Sequence, residues 1–431
     1  MEYLTPNFTK DMLKDYTVLV PNMCPVQFRL VKAAMESEGY HRIELIGTGS
    51  SEVTQLGLKY VHNDTCYPAL IIIGQFLDAL NSGKYDVHKT ALLIPQSGGG
   101  CRASNYIKLL RKALVRAGYD YVPVASANVS GLEKGSILPW TPRMLMKILA
   151  AVEYGDMLVA VRNQVQAYEI HKGDADALQQ KWLEQLDQDI RRNKHYLIPS
   201  FGHVFHQIAS SFAGIPVKKE PKVKVGVVGE IYVKFSPTGN NNLQKMLENE
   251  GCEVNLPSLM GYAKYCMANW ALDTEYYGIS KTMGKWCSFG LKFVESISKK
   301  MAKALKQFGF YAEGSFYDLM KKPEGILGLG TKMGEGWLLT GEMCELIENG
   351  YANIVCAQPF GCLPNHIAGK GAISKLRQRY PEANITPVDY DPSATMVNQE
   401  NRIKLMLAVA RENLQNATEA SRKTAEAAAW A

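Results

Sequence analysis

The sequence predicts an α/β protein with two Rossmann-like halves, each built on a parallel sheet, and a helical segment between them. Three observations carry that expectation. Short runs rich in Val, Ile and Leu alternate with stretches at helical spacing, as consecutive βαβ units require. The runs are continuously apolar, which suits strands buried on both faces of a parallel sheet. The alternation stops near Pro139 and restarts near Val223, as if one plan were used twice.

Taken in order, Thr17 to Pro21 (Thr-Val-Leu-Val-Pro) is a β-branched strand closed by proline. Val26 to Gly39 has helical spacing, and His41 to Ile46 is a second strand. Ala91 to Pro95 is a strand that runs into Gln96-Ser97-Gly98-Gly99-Gly100, a helix from Asn105 to Ala117 and a strand from Tyr121 to Ala125. Between Pro139 and Gly214 strand signals vanish, and Met144 to Val161 and Asp174 to His195 read as helices of a linker or cap. Lys218-Lys219-Glu220-Pro221, charged and closed by proline, marks a boundary. Val223 to Gly229 is then a strand, Asn241 to Gly251 a helix stopped by its glycine, and Cys252 to Leu256 a strand. A helical insert extends to Phe310, Glu342 to Asn349 is a helix, and Asn353 to Cys356 and Ile385 to Asp389 are strands. Pro392 to Trp430 closes the chain as a helix with an alanine-rich tail. The expected domains are therefore 1–138, a helical linker or cap over 139–220, and 221–431.

Composition narrows the function. With 431 residues, 46% hydrophobic and 21% charged, the chain exceeds one typical domain and is not disordered. The net charge of +6 is mild and spread along the sequence, which favours anionic small molecules over nucleic acid. The most apolar run, Ala69 to Phe76, falls far short of the ~20 residues that span a membrane. Met1-Glu2-Tyr3-Leu4-Thr5-Pro6 lacks the layout of a signal peptide, so a cytoplasmic protein is expected. In that compartment the nine cysteines read as core residues, metal ligands or nucleophiles before disulfides.

Open α/β sheets bind ligands beyond the carboxyl ends of their strands. Cys101 follows the Ala91 to Pro95 strand after three glycines, with Arg102 beside it to favour a thiolate. The same segment also reads as a glycine-rich turn around a structural cysteine. Cys356 closes its strand, and Cys362 and His366 follow in a rigid loop with two prolines and a glycine. Cys-x5-Cys-x3-His is compatible with zinc but lacks a fourth ligand, so a substrate or ligand loop is the better reading. Cys66 lies in the turn-like Asn63-Asp64-Thr65-Cys66-Tyr67-Pro68, just before an apolar segment. Cys252, Cys266, Cys287 and Cys344 read as small buried hydrophobes, while Cys24 is ambiguous because it too follows a strand. No nucleophile elbow, His-Glu-x-x-His or paired-carboxylate signature is present. Gly325-Ile-Leu-Gly-Leu-Gly-Thr-Lys mimics a phosphate loop, but its lysine follows the threonine and no apolar strand leads into it.

The stretches Asn63 to Ala69, Gly98 to Tyr106 and Cys356 to His366 resemble the 2-hydroxyacyl-CoA dehydratase superfamily. The similarity is to its D-component-like branch, fused to or encoded beside an ATP-dependent activase of the acetate kinase and heat-shock-70 fold and related to double-cubane cluster proteins. Val227 to Ile231, Gly334 to Leu339, and Asp389 to Asp391 through Asn398 to Arg402 fit the same branch, so the resemblance covers about residues 17 to 410 in order. It implies two Rossmann-like domains with an iron–sulfur cluster, 4Fe–4S or double-cubane 8Fe–9S, in the cleft between them. Carried over, Cys66 and Cys101 are the first-half ligands and Cys356 the second-half ligand, with Cys362 as a possible fourth.

The resemblance further implies a separate activase that hydrolyses ATP and passes a strongly reducing electron to the cluster, for radical or reductive chemistry at an open iron. Dehydration of an acyl-CoA is the favoured reaction. A double-cubane-type reductase of small molecules and a non-catalytic electron-transfer or cluster-carrier component are the alternatives. Arg102 would balance cluster charge, and Glu230, Glu335 and His366 are candidates for proton handling or substrate contact. For those three the competing reading is a helix cap or a loop brace. A homo- or heterodimer is expected, with neither nucleic acid nor membrane as partner.

Overall fold

The computed structural model describes residues 5–47, 52–62, 64–97, 100–127 and 140–430, with side chains to residue 424. Asn63, Gly98 and Gly99 of the cysteine-bearing stretches lie outside the described residues, as does the end of the first expected domain. The first half contains β1 (Thr17–Pro21), α1 (Pro25–Glu36), β2 (Arg42–Ile46), α2 (Glu52–Tyr60), α3 (Tyr67–Asn81), β3 (Thr90–Pro95), α4 (Tyr106–Ala117) and β4 (Val124–Ala127). Helices α5 (Pro142–Gln166), α6 (Asp174–Arg191) and α7 (Ile198–Ala213) follow. The second half runs β5 (Lys224–Gly229), α8 (Ile231–Phe235), α9 (Leu243–Asn249), β6 (Glu253–Asn255), α10 (Leu259–Tyr277), α11 (Lys281–Gln307), α12 (Phe316–Leu319) and α13 (Trp337–Glu348). It closes with β7 (Asn353–Pro359), α14 (Ile373–Arg379), β8 (Asn384–Tyr390) and α15 (Met396–Trp430).

The fold is α/β, and each half holds one four-stranded parallel sheet. The strand orders are β2-β1-β3-β4 and β6-β5-β7-β8, the same arrangement twice. In such an order the chain leaves the sheet's centre in both directions. The switch point therefore falls between β1 and β3 in one half and between β5 and β7 in the other. Loops leaving those four strands border the crevice where open sheets take ligands.

Two strands differ from the sequence reading in ways that matter. β4 starts at Val124, because Val122 N bonds back to the Tyr119 carbonyl in a turn and the ladder with β3 begins at Leu92 opposite Val124. β7 runs past Cys356 to Pro359, since its ladder with β8 continues through Gln358 opposite Asp389 and Pro359 opposite Tyr390. Cys356 is thus inside a strand and not at its end.

The apolar stretch after Cys66 is α3, buried along almost its whole length. Its crossing with α2 is unusually close. A Cβ on Gly57 would stand 2.1 Å from the Leu70 carbonyl oxygen, and one on Gly74 would stand 2.0 Å from that of Val53. Only glycine permits backbones to approach so nearly, and the contact fixes the helix that begins beside Cys66.

Helices α5 to α7 share one core with α1 of the first half and α11 of the second. Leu30 and Ala33 meet Tyr154, Met157 and Leu158, then Phe201, Phe205 and Ile297. Another core runs from Leu92, Ile94 and α3 to Val225, Tyr232 and Leu407, so apolar packing is continuous between the halves. A buried hydrogen bond from Tyr232 Oη to Gln75 Oε1, 2.9 Å, joins them at that point. Among the described residues no helix is long and apolar enough to cross a membrane.

Candidate active site at the cleft between the sheets

Cys66 stands at the N-cap of α3 in extended backbone, with Pro68 inside the first turn where a missing N–H costs nothing. The Tyr106 hydroxyl, at the start of α4, donates to Cys66 Sγ at 2.9 Å. Cys101 caps the single 3-10 turn Arg102–Asn105, and its carbonyl accepts from Ser104 N at 3.2 Å and Ser104 Oγ at 2.8 Å. Arg102 donates to the carbonyls of Asp64 and Thr65, tying the Cys66 loop to the Cys101 loop. Gly100 N donates to Met333 Sδ at 3.0 Å and so meets the second half.

From the second half, Glu230 caps α8, its Oε2 accepting from Val233 N at 2.8 Å. Glu335 Oε1 accepts from Ile231 N at 3.0 Å, and its Oε2 accepts from Asn365 Nδ2 at 2.9 Å. Asn365 Nδ2 also lies 3.4 Å from Cys362 Sγ. A polar chain therefore leads from the start of α8 through Glu335 and Asn365 to the Cys362 thiol. Gly336 makes the turn that delivers Glu335, with φ of 44° and no room for a Cβ, which would sit 2.1 Å from the Thr331 carbonyl.

These groups share one electrostatic neighbourhood. Burial first, and then the Glu230 carboxyl, pushes Cys66 up to about 12, while the Tyr106 hydrogen bond and Arg102 pull it down. Burial raises Cys101, and Glu335 and Glu230 add to the effect. Cys362 is raised by burial, then by Glu335, with Glu230 and Cys66 contributing. Glu230 itself is pushed up to about 8 by burial and by Glu335, and burial raises Glu335 in turn. Cys66, Cys101 and Cys362 remain partly accessible, whereas Cys24, Cys252, Cys344 and Cys356 are buried. The α2–α3 connection and the loop after β3 in one half, with the loop after β7 in the other, thus bring three partly accessible thiols into one electrostatic neighbourhood with two carboxyls.

Cys356, expected as the second-half ligand, does not join them. Along β7, Val355 and Ala357 face the core that reaches α3, while Ile354 and Cys356 face the opposite core with Met343, Cys344 and Leu376. Its sulfur packs against Gly369, where a Cβ would lie 3.1 Å away. The zinc reading of Cys356, Cys362 and His366 fails with it, because the strand turns the first thiol to the other side of the sheet. His366 serves its own loop: Nδ1 lies 2.8 Å from the Cys362 carbonyl, and Nε2 is 3.5 Å from Asp389 Oδ1. Arg102 is likewise a brace between two loops, although its charge does lower Cys66.

Sequence reasoning misses α10. Tyr262, Tyr265 and Cys266 interact with Glu335, and both tyrosines with Cys101. Cys266, expected to be a buried hydrophobe, is exposed, yet the surrounding protein still drives its thiol up to about 11. Tyr262, Tyr265, Cys266, Asn269 and Asp273 recur at three- and four-residue spacing, a polar stripe that helical periodicity could have revealed.

The donors gathered here are thiols and carboxyls. Thiols are the usual iron–sulfur ligands. Among the described residues, no three His, Cys, Asp or Glu side chains close on one point as a mononuclear metal requires. Thiolates bound to different irons of one cluster stand farther apart than ligands of one ion, and these three come from separate loops. Lys332 of the glycine-rich loop is ion-paired with Asp273. Comparison with protein-family models, with curated proteins and with solved structures finds no match to this chain.

Proposed function

We propose that the protein is an iron–sulfur component of the 2-hydroxyacyl-CoA dehydratase type, with Cys66, Cys101 and Cys362 holding the cluster. The observation that supports this most is the shared neighbourhood of three partly accessible thiols, two from the first half and one from the second, beside Glu230 and Glu335. When bound, such a cluster supplies low-potential one-electron chemistry, and three protein ligands leave an iron open to substrate.

The chain's own residues have defined tasks in this reading. The thiols, held protonated by burial, give up their protons on metal binding, so loading releases acid. Tyr106 donates a hydrogen bond to the Cys66 sulfur, a contact that raises a cluster's potential. Glu230, pushed up to about 8, keeps a proton at neutral pH and can give it to a bound molecule. Glu335 and Asn365 position the Cys362 loop. The electron comes from a separate ATP-dependent activase, and a 2-hydroxyacyl-CoA is the preferred substrate class.

Anaerobic purification or reconstitution, followed by iron and acid-labile sulfide analysis, tests the reading. About four irons or more per chain, with substrate turnover only when activase and ATP are added, is the expected result. A chain that takes up no sulfide under those conditions is not this kind of protein.

A further inference from the structure

Away from the cleft, α10, α11 and the 312–315 loop enclose a cavity of about 450 Å³, a size typical of small-molecule pockets. Its wall carries the Lys264 ammonium, buried and only loosely held, 3.4 Å from Glu295 Oε2 and 3.5 Å from Ser298 Oγ. Lys299, Lys303 and Lys306 line it from one side of α11. Two carboxylates also line it, so four lysines face two acids, a local excess of 4 − 2 = +2. Both acids are already engaged: Glu313 accepts from Ser258 N at 2.6 Å and Ser258 Oγ at 2.8 Å, and Glu295 accepts from Phe316 N at 3.2 Å and from Lys264. Beyond the long contacts of Lys264, the ammonium protons of Lys299, Lys303 and Lys306 are what remains to be satisfied. A compact cation such as lysine suits a phosphoryl group, whereas planar carboxylates are matched by the arginine fork, and no arginine lines this cavity.

We propose that this cavity is a binding site for a small phosphorylated anion, with Lys264 at its inner wall and Lys303 and Lys306 at its rim. The site is independent of the cluster reading, and metal-free protein serves for its test.

Titration calorimetry with inorganic pyrophosphate is the direct experiment. The expected result is saturable binding that weakens with salt, falls at least tenfold in the Lys303→Ala/Lys306→Ala double variant, and is lost in Lys264→Met. Because Lys264→Met leaves Glu295 without its partner and can impair folding, the exposed double variant carries the decision. No saturable heat, undiminished binding in that variant, or equal affinity for citrate would overturn the assignment.

Discussion

Glu335 accepts a hydrogen bond from the backbone N–H of Ile231, the residue immediately after Glu230, across 104 positions of sequence. The bond holds two carboxyl groups side by side at the start of α8, where each disfavours the other's charge. Glu335→Gln should therefore let Glu230 ionise at a pH lower by roughly one or more. Carbon-detected NMR titration of the metal-free protein would show it. An unchanged Glu230 midpoint would mean that burial alone sets it.

The proposed ligand set separates two neighbouring cysteines. Cys362→Ser, like Cys66→Ser and Cys101→Ser, should abolish iron uptake, because an alcohol is a far poorer iron ligand than a thiolate. Cys356→Ser should keep iron near wild type but lose roughly 1–3 kcal/mol of stability, as a hydroxyl is buried without a partner. Iron analysis beside denaturant melts distinguishes the cases. Loss of iron in Cys356→Ser with stability intact would restore Cys356 as a ligand.

The phenol of Tyr106 eases ionisation of Cys66. Tyr106→Phe preserves the ring but removes that donor, so Cys66 should ionise less readily in the metal-free protein. Its alkylation by iodoacetamide at pH 8 should slow by up to about tenfold, as the thiolate fraction falls with the lost hydrogen bond. Faster alkylation would show that access and not ionisation controls the thiol.

Stability should fall with rising pH. Burial holds Glu153, fully enclosed beside Ser298 and Lys264, up to about 8, well above an unfolded glutamate. Between about 4.3 and that value the folded protein binds more protons than the unfolded chain, so stability drops as pH rises. The loss is complete above the folded value. Glu153→Gln keeps the acceptor for Ser298 and should flatten this slope by on the order of 3 kcal/mol between pH 5 and 8. A smaller slope should persist, since Asp156 is pushed up to about 6 and Glu342 is raised as well. Urea melts across that range decide the matter, and identical slopes in both proteins would refute the assignment.

The α2–α3 crossing makes a mechanical prediction. Gly74→Ala should cost about 1–3 kcal/mol through overpacking, and it should also lower iron content by shifting the helix that starts at Cys66. Gly118→Ala, at a left-handed cap with open space around it, should cost about 1 kcal/mol and spare iron binding. Equal iron content in both variants would uncouple the crossing from the site.

Much of the fold is legible because strands such as Thr17 to Pro21 and Val223 to Gly229 are apolar throughout, a pattern with few alternatives over so short a run. The Cys66 and Cys101 loops are legible for the same reason: they follow or precede unmistakable apolar runs. Cys356 is misplaced by sequence alone because Ala357-Gln358-Pro359 looks like a loop, whereas pairing with β8 extends the strand, and that partner lies far along the chain. One residue of strand reverses a side chain's direction, so an error in the strand's end becomes an error in its face. The α10 stripe escapes notice because it lies in a long insert and meets the cleft only through tertiary packing.

Because Cys66 and Cys101 ride on one sheet and Cys362 on the other, the distance among them depends on the angle between the halves. A ligand that touched all three sulfurs would therefore bridge the two halves of the chain. The Tyr232 to Gln75 bond and the apolar core around it already join those halves. The spacing of the three thiols is thus a property of how the halves pack on each other, and a substitution in that shared core would be felt at the site without touching any cysteine.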